Sequence, residues 1–501
     1  MKKIVYIPLD ERPCNYDFPY IISENNPIYR MIRPDESLMG SKKTPANYSE
    51  LAKFITNECA DADYLIIALD TLLYGGIIPS RLHNFSERDV CSRLSVLEEI
   101  KVINPNLKIF AFSLVMRCPC YSDNAEEPDY YAFCGREIFL YGQNEHKYRD
   151  GLISEAEYLK TKDSLRACEE YIHDYTSRRK TNLAVFLRTV DMIGGIIDEF
   201  VILQDDSNKF GYTAMDQQKI KAAILERGID VLIYPGADEG GMTMLARAVC
   251  DMMSKKPKIY PAFPEALAAQ ITPMYEDREV CKSLASQIRS AGAILCEIED
   301  EADIVLFCNI DKTKLFDIAH CHPKGQSDSY IPDFVSRMKR CIDKGIGVAI
   351  ADIAYCNGGD MALAERIEKE ISMINLWGYS GWNTSSNTLG TVICQAIFRA
   401  SFGDTETHRL FTAYRVYEDL CYYADARHTI RESIKDRYNL TPFDTKEQTG
   451  RFTDDILTLL EESAKEHFES ISNLYHVNSC SLPWRRIFEI RLDIQKNNKA
   501  H

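Results

Sequence analysis

Histidine is scarce in this chain, with 10 in 501 residues, and none stands at the end of an expected strand. The one cluster, His320-Cys321-His322, has a single cysteine and no partner pair, so it reads as a surface loop rather than a zinc site. Several motifs are missing altogether: a P-loop, a G-x-G-x-x-G turn after the first strand, a G-x-S-x-G elbow and an H-E-x-x-H helix. Their absence argues against P-loop phosphoryl transfer, Rossmann cofactor use, serine hydrolysis and zincin chemistry. No apolar run approaches the roughly 18–20 residues that a membrane-spanning helix needs. Basic excess is lacking too. With 59 Lys and Arg against 75 Asp and Glu, the net charge is −16, which argues against a nucleic-acid partner. The 17 cysteines are odd in number and scattered through apolar segments, a usage that suits a reducing cytosol better than a disulfide framework. The opening MKKIVYIPLDERP holds an apolar run of about five residues that meets Asp10-Glu11-Arg12 at once, so it reads as a first strand and not a signal. A cytoplasmic protein with no membrane partner is expected.

What is present is ordinary globular composition, 45% hydrophobic and 27% charged, arranged as alternating strands and helices. Strands are expected at Lys3–Ile7, Tyr64–Leu69, Lys108–Val115, Phe200–Leu203, Val231–Tyr234, Lys258–Tyr260, Ala293–Glu297, Ile304–Phe307, Gly347–Ala351 and Asn375–Gly378. That alternation predicts an α/β fold with a mostly parallel sheet and right-handed crossovers, closed in the manner of a TIM barrel. A charged, tyrosine-rich helical insertion is expected at 123–189, reading as a solvated hairpin that lids a site or pairs with another chain. The α/β region is expected to span 1–400, either as one large domain or with a smaller α/β domain at about 260–345. A helical carboxyl-terminal region, 401–501, follows.

The stretch Phe200–Gly241 organises the functional reading. A strand ends in Gln204-Asp205-Asp206-Ser207, a helix follows, and a second strand ends in Pro235-Gly236-Ala237-Asp238-Glu239-Gly240-Gly241. Parallel strands joined by a helix carry ligands at their carboxyl ends, and gathering like charges is costly unless a proton, cation or substrate uses them. Asp205, Asp206, Asp238 and Glu239 are therefore the candidate catalytic carboxylates, with helix capping as the alternative role for one of them. Other strand ends supply candidate substrate contacts: Asp10, Arg12, Asn15, Asp70, Tyr74, Arg81, Arg117, Asp352 and Asn357. The run Gly381–Gly390 adds Trp382, as an aromatic platform or as a core residue at the start of a helix, and Asn383 and Asn387 as amides that read hydroxyl or acetamido groups. Each arginine either binds substrate or neutralises a neighbouring aspartate. No cofactor is expected. The same hard oxygen ligands would suit a divalent cation, so a metal-dependent reading stays open.

Six motifs in order carry a resemblance: PLDERPCNYDFP (8–19), DTLLYGGIIPSR (70–81), QDDSNKFG (204–211), GADEGG (236–241), ADIAYCNGGD (351–360) and GWNTSSNTLG (381–390). They resemble the bacterial domain-of-unknown-function 4127 family, which implies a shared polar signature and no activity. The acidic dipeptides are also similar to those of barrel glycosidases acting on N-acetylhexosaminides. That likeness implies a substrate-assisted route in which Asp205 or Asp238 orients the acetamido group and Asp206 or Glu239 protonates the leaving group. The expected function is thus hydrolysis of a carbohydrate-type substrate by carboxylate acid–base catalysis. The alternatives are a metal-dependent hydrolase or lyase on the same carboxylates, and a non-catalytic protein that binds a small molecule. The expected partner is a small molecule or oligosaccharide, and homo-oligomerisation is left open.

Overall fold

Runs that are apolar on both faces make strands that helices can cover on both sides. Tyr64–Ala68 (YLIIA) and Ile304–Asn309 (IVLFCN) are buried at every residue. The computed structural model describes residues 1–319 and 329–497, so the His320-Cys321-His322 cluster lies outside the described residues. The described chain divides into two compact units. The first comprises Met1–Glu11, Asn26–Met244 and Tyr275–Asp277; the second comprises Arg12–Asn25, Leu245–Met274 and Arg278–His501. Residue 400, where composition marked a boundary, lies within the helix Ser385–Phe402 of the second unit.

In the first unit the strands are β1 (Lys2–Ile7), β2 (Tyr29–Ile32), β3 (Tyr64–Ala68), β4 (Lys108–Val115), β5 (Glu199–Gln204) and β6 (Leu232–Pro235). They pair in the order β2-β1-β3-β4-β5-β6, all parallel, with Val5 opposite both Ile32 and Leu65 and Leu203 opposite Tyr234. The core beneath this sheet is built from Val5, Ile7, Leu65, Ile67, Ile109, Ala111 and Ile202. The second unit holds β7 (Lys258–Ala262), β8 (Ile294–Leu295), β9 (Ile304–Asn309), β10 (Gly347–Asp352) and β11 (Gly378–Ser380), in the order β11-β10-β9-β7-β8 and again all parallel. Counted from its own first strand, each sheet begins 2-1-3-4-5, the doubly wound order in which ligands bind outside the carboxyl ends of the strands where the order reverses. No pairing among the described residues closes either sheet, so the expected barrel is replaced by two open parallel sheets. Strand–helix alternation looks the same in both architectures; only the pairing of strands across the crossovers separates them.

Between β4 and β5 the expected helical insertion is present as the helices Tyr131–Arg149, Glu155–Ser164 and Glu169–Val190. It is less solvated than its charge suggests: Tyr131, Tyr175 and Ile138 pack with Met116 and Tyr212 in a separate apolar cluster. Cys134 and Cys168 are joined by a disulfide within it, a pairing not foreseen in cysteines that suit a reducing cytosol better than a disulfide framework, while the other described cysteines are free. The carboxyl-terminal region is helical from Glu406 to Ser472 in several segments, but ends in an antiparallel hairpin of β12 (Tyr475–Ser481) and β13 (Arg491–Lys496). Among the described residues no helix is long and apolar enough to cross a membrane.

Candidate functional site

In the first unit, the ends of β4 and β5 deliver Arg117 and the pair Asp205-Asp206 to one cluster. Arg81, in the short helix Pro79–Leu82, joins them, as do Glu126 and Glu127 from the loop before the helix Tyr131–Arg149. Arg81 Nη2 donates to Asp205 Oδ2 at 2.6 Å, and its Nη1 reaches Glu127 Oε1 at 3.3 Å and Glu126 Oε2 at 3.4 Å. Arg117 spreads its fork over three carboxylates: Nε to Glu127 Oε1 at 2.7 Å, Nη1 to Asp206 Oδ2 at 3.1 Å and Nη2 to Glu126 Oε2 at 3.0 Å. The planar guanidinium suits this sharing in a way that an ammonium could not. Behind the cluster, the insertion fixes Arg117 through its main chain: Tyr175 Oη donates to the Arg117 carbonyl at 2.6 Å and Arg179 Nη1 at 3.0 Å.

Two cations thus face four carboxylates. Arg81 and Glu127 are buried, whereas Asp206 keeps about a fifth of its side chain open to solvent, at 22%. Glu127 Oε2 is buried with no hydrogen-bond partner. Burial, together with the neighbouring Asp205, pushes the Asp206 carboxyl up to about 6 against the pull of Arg117. Asp206 also sits in the left-handed backbone region, at φ 31°, where a short polar side chain is tolerated. Tyr121, an exposed ring, lies close enough to Arg117 and Asp206 for their charges to act on its hydroxyl. Both adjacent aspartates are thus held by a buried arginine, Asp205 by Arg81 and Asp206 by Arg117, and Asp206 is the more exposed of the two, at 22% against 12%, and lies near the Tyr121 ring.

The other first-unit candidates are placed differently. Asp70 lies not in a strand-end loop but in the first turn of the helix Leu69–Tyr74, where Oδ2 accepts from Ser113 Oγ at 2.9 Å and from the Leu114 amide at 3.0 Å. It ties β3 to β4, and burial pushes its carboxyl up to about 6. Tyr74 is buried and stacks on His83 with ring centroids 4.7 Å apart. Asp10 and Asp238 are buried, and Glu239 is fully so, its Oε2 accepting from the Ala237 amide of its own turn at 2.8 Å. Gly240 serves packing there, since a Cβ would come within 2.4 Å of the Phe112 ring.

The second unit holds the remaining candidates. Asp352, at the end of β10, accepts from Asn309 Nδ2 at 2.8 Å, from the Asp360 amide at 2.7 Å and from Tyr379 Oη at 2.8 Å. Asp360 in turn accepts from the fully buried Lys314 at 2.7 Å. Gly359 belongs to this network, because a Cβ there would lie 2.2 Å from Tyr379 Oη. Burial, then the charge of Asp360, pushes the Asp352 carboxyl from its ordinary 3.8 up to about 7. The folded state therefore holds a proton that the unfolded chain has already released. The associated stability is complete below about pH 4 and is lost as the pH rises through about 7. We expect the urea midpoint to fall over this range, and Asp352→Asn to flatten the fall; an unchanged slope in the variant would assign the titration elsewhere.

Arg415 is buried and donates to Glu418 Oε2 at 2.6 Å and to both oxygens of Asp419, while the Gly381 amide donates to Asp419 Oδ2 at 2.7 Å. These acids lie on a π-helix, Val416–Ala426, a form concentrated at functional sites. Beside it is a cavity of about 20 Å³ whose lining includes Arg12, Asn357, Trp382, Asn383, Glu418 and Tyr423. Four residues singled out in the sequence thus meet at one cavity. Trp382 is otherwise a packing residue, edge-on to Phe18 at 5.7 Å and donating from Nε1 to Thr391 Oγ1 at 3.2 Å. Asn15 and Asn387 are buried in the helices Pro13–Tyr16 and Ser385–Phe402.

Glu126, Glu127, Arg415, Glu418 and Asp419 were not singled out by sequence. The four acids' one signal, an acidic dipeptide, also marks Glu98-Glu99, Asp454-Asp455 and Glu461-Glu462, and Arg415 carries none. Among the described residues, no group of three or more His, Cys, Asp or Glu side chains is placed to hold a metal ion; the acids of both units are matched with arginine, lysine and amides instead. Among the curated proteins compared, none matches this chain. The family model described as "Protein of unknown function (DUF4127)" matches residues 4–493, and the chain belongs to that family.

Proposed function

We propose that the protein is a hydrolase of carbohydrate-type substrates, with Asp206 as general acid and Asp205 as the orienting or basic partner. The observation that carries this reading is a carboxyl at the end of a parallel strand that keeps its proton towards neutral pH beside a second carboxyl. Asp206 is partly exposed, is held by Arg117 at 3.1 Å and is pushed up to about 6, while the adjacent Asp205 is held by Arg81 at 2.6 Å. A carboxyl whose proton is retained in this way can serve as a general acid. Tyr121 offers a face on which a sugar ring could stack. The acetamido-assisted route is the specific form that adjacent aspartates suit: Asp205 would orient the substrate's amide while Asp206 protonates the glycosidic oxygen.

The test is a panel of chromogenic glycosides, N-acetylhexosaminides included, assayed with wild type and Asp206→Asn. Removing a general acid costs about 10²–10⁴-fold in rate, and kcat/KM in the wild type should decline as the pH rises through about 6, where Asp206 loses its proton. A hydrolysed substrate turned over equally well by Asp206→Asn would remove Asp206 from the mechanism.

A further inference from the structure

The cavity in the second unit lies outside the acid–base pair of the first, and its chemistry can be read independently. We propose that it is a binding site for one hydroxyl-bearing end of a small neutral polyol or sugar, with Asn357 as the recognising side chain. A cavity that holds one water needs about 10–15 Å³ on the same measure, so about 20 Å³ admits a single small group such as a hydroxyl or hydroxymethyl.

Three observations point to a ligand. Asn357 is buried, 7% exposed, yet its side-chain amide makes no hydrogen bond among the described residues, although its main-chain amide donates to the Asn383 carbonyl at 2.8 Å. That amide is therefore available to a group that enters the cavity. Second, left-handed backbone is concentrated here. Asn357 (φ 62°) and Asn383 (φ 51°) line the cavity; Trp484 (φ 54°), which carries the Arg12 guanidinium over its ring at 4.7 Å, adopts it despite its bulk. Such conformations cluster where a site must be preorganised.

The third observation is the charge of the lining. Arg12 would repel an ammonium, and Glu489 would repel a carboxylate, so an ion of either sign meets a like group. A hydroxyl both donates and accepts, as does the Asn357 amide. Tyr423 Oη already donates to Glu418 Oε1 at 3.0 Å, and Arg486 holds Glu489 through two contacts of 2.9 Å. The acids are therefore positioned acceptors rather than loose charges.

Titration calorimetry on the full chain with glycerol, erythritol, glucose, sodium acetate and methylammonium chloride tests the proposal. At least one neutral compound should bind in the millimolar range or better. Asn357→Gly, which keeps the left-handed backbone and deletes the amide, should weaken that binding tenfold or more. Asn439→Gly, at an exposed left-handed helix cap (φ 53°), should not alter it. Asp206→Asn should leave it intact, which separates this site from the chemistry of the first unit. Tighter binding of acetate or methylammonium, no binding of any neutral compound, or unchanged binding in Asn357→Gly would each overturn the proposal. Should Asn357→Gly fail to fold, Asn357→Asp, which also tolerates left-handed backbone but lacks the amide donor, carries the same expectation.

Discussion

Replacing Arg81 with methionine should destabilise the protein by about 3–5 kcal/mol, the cost of stripping the partner from a buried charge. Arg81 is 2% exposed and serves Asp205, Glu126 and Glu127; without it, Arg117 alone would face four carboxylates. Glu127 suffers most, being 1% exposed with one oxygen already unpartnered. The loss should shrink at acid pH, where protonation relieves the repulsion, and adding Glu127→Gln to Arg81→Met should recover part of it, since the double variant buries one charge fewer. Urea midpoints of the two variants and the wild type at about pH 5 and pH 8 decide the matter. An Arg81→Met protein within about 1 kcal/mol of the wild type would show that the cluster relaxes and takes in water instead of holding its charges.

In the second unit Arg415→Met should cost a comparable amount, about 3–5 kcal/mol by the same mechanism. The guanidinium is fully buried between Glu418 and Asp419 and packs over the Phe18 ring at 4.3 Å. Arg415→Lys should rescue little, because an ammonium cannot span both acids in one plane. The two acids should respond differently. Burial pushes the Glu418 carboxyl up to about 8, so at neutral pH the site already holds a protonated acid, and Glu418→Gln should cost only about 1 kcal/mol, the worth of an ordinary hydrogen bond. Asp419 accepts the Gly381 amide as well as Arg415, so Asp419→Asn leaves donors facing a donor and should cost more. As for Asp352, the raised carboxyl means that stability attached to Glu418 is present at low pH and lost as the pH climbs from its ordinary 4.5 through about 8. Glu418→Gln should flatten that decline. Equal costs for the Gln and Asn variants at pH 7 would contradict a neutral Glu418.

Both arginine clusters bear on how a sequence is read. Arg81 and Arg117 stand just beyond apolar runs, and pairing with a neighbouring aspartate was one of two roles open to each; the pairing to Asp205 and Asp206 is what they make. Their shared glutamate partners carried no signal, because Arg117 meets Glu126 and Glu127 through an irregular loop across 9 and 10 residues, and Arg81 meets Glu127 across 46. Asp70 looked like a strand-end acid because the apolar run continues to Leu69, yet the helix begins there, and its first turn swings the carboxyl back onto β4.

By itself the sequence determined the α/β class, nearly every parallel strand and the helical insertion, because fully buried strands must be continuous apolar runs and their crossovers must be amphipathic. It also determined that acids and arginines collect at strand ends, since the chain is polar where it leaves the sheet. Tertiary structure alone decided that the strands form two open sheets, as pairing between strands far apart in the chain is a property of the assembled layers. The same holds for the β12–β13 hairpin, whose half-exposed strands bury only Tyr475, Val477 and Cys480 in one and Leu492 and Ile494 in the other, too few apolar residues to separate them from helix. It decided, too, which polar side chains meet: Asp205 and Asp206 with two arginines, and Arg12, Asn357, Trp382 and Asn383 around one small cavity. Side-chain chemistry is written residue by residue, but the desolvation and charge that tune it come from neighbours that only the fold supplies.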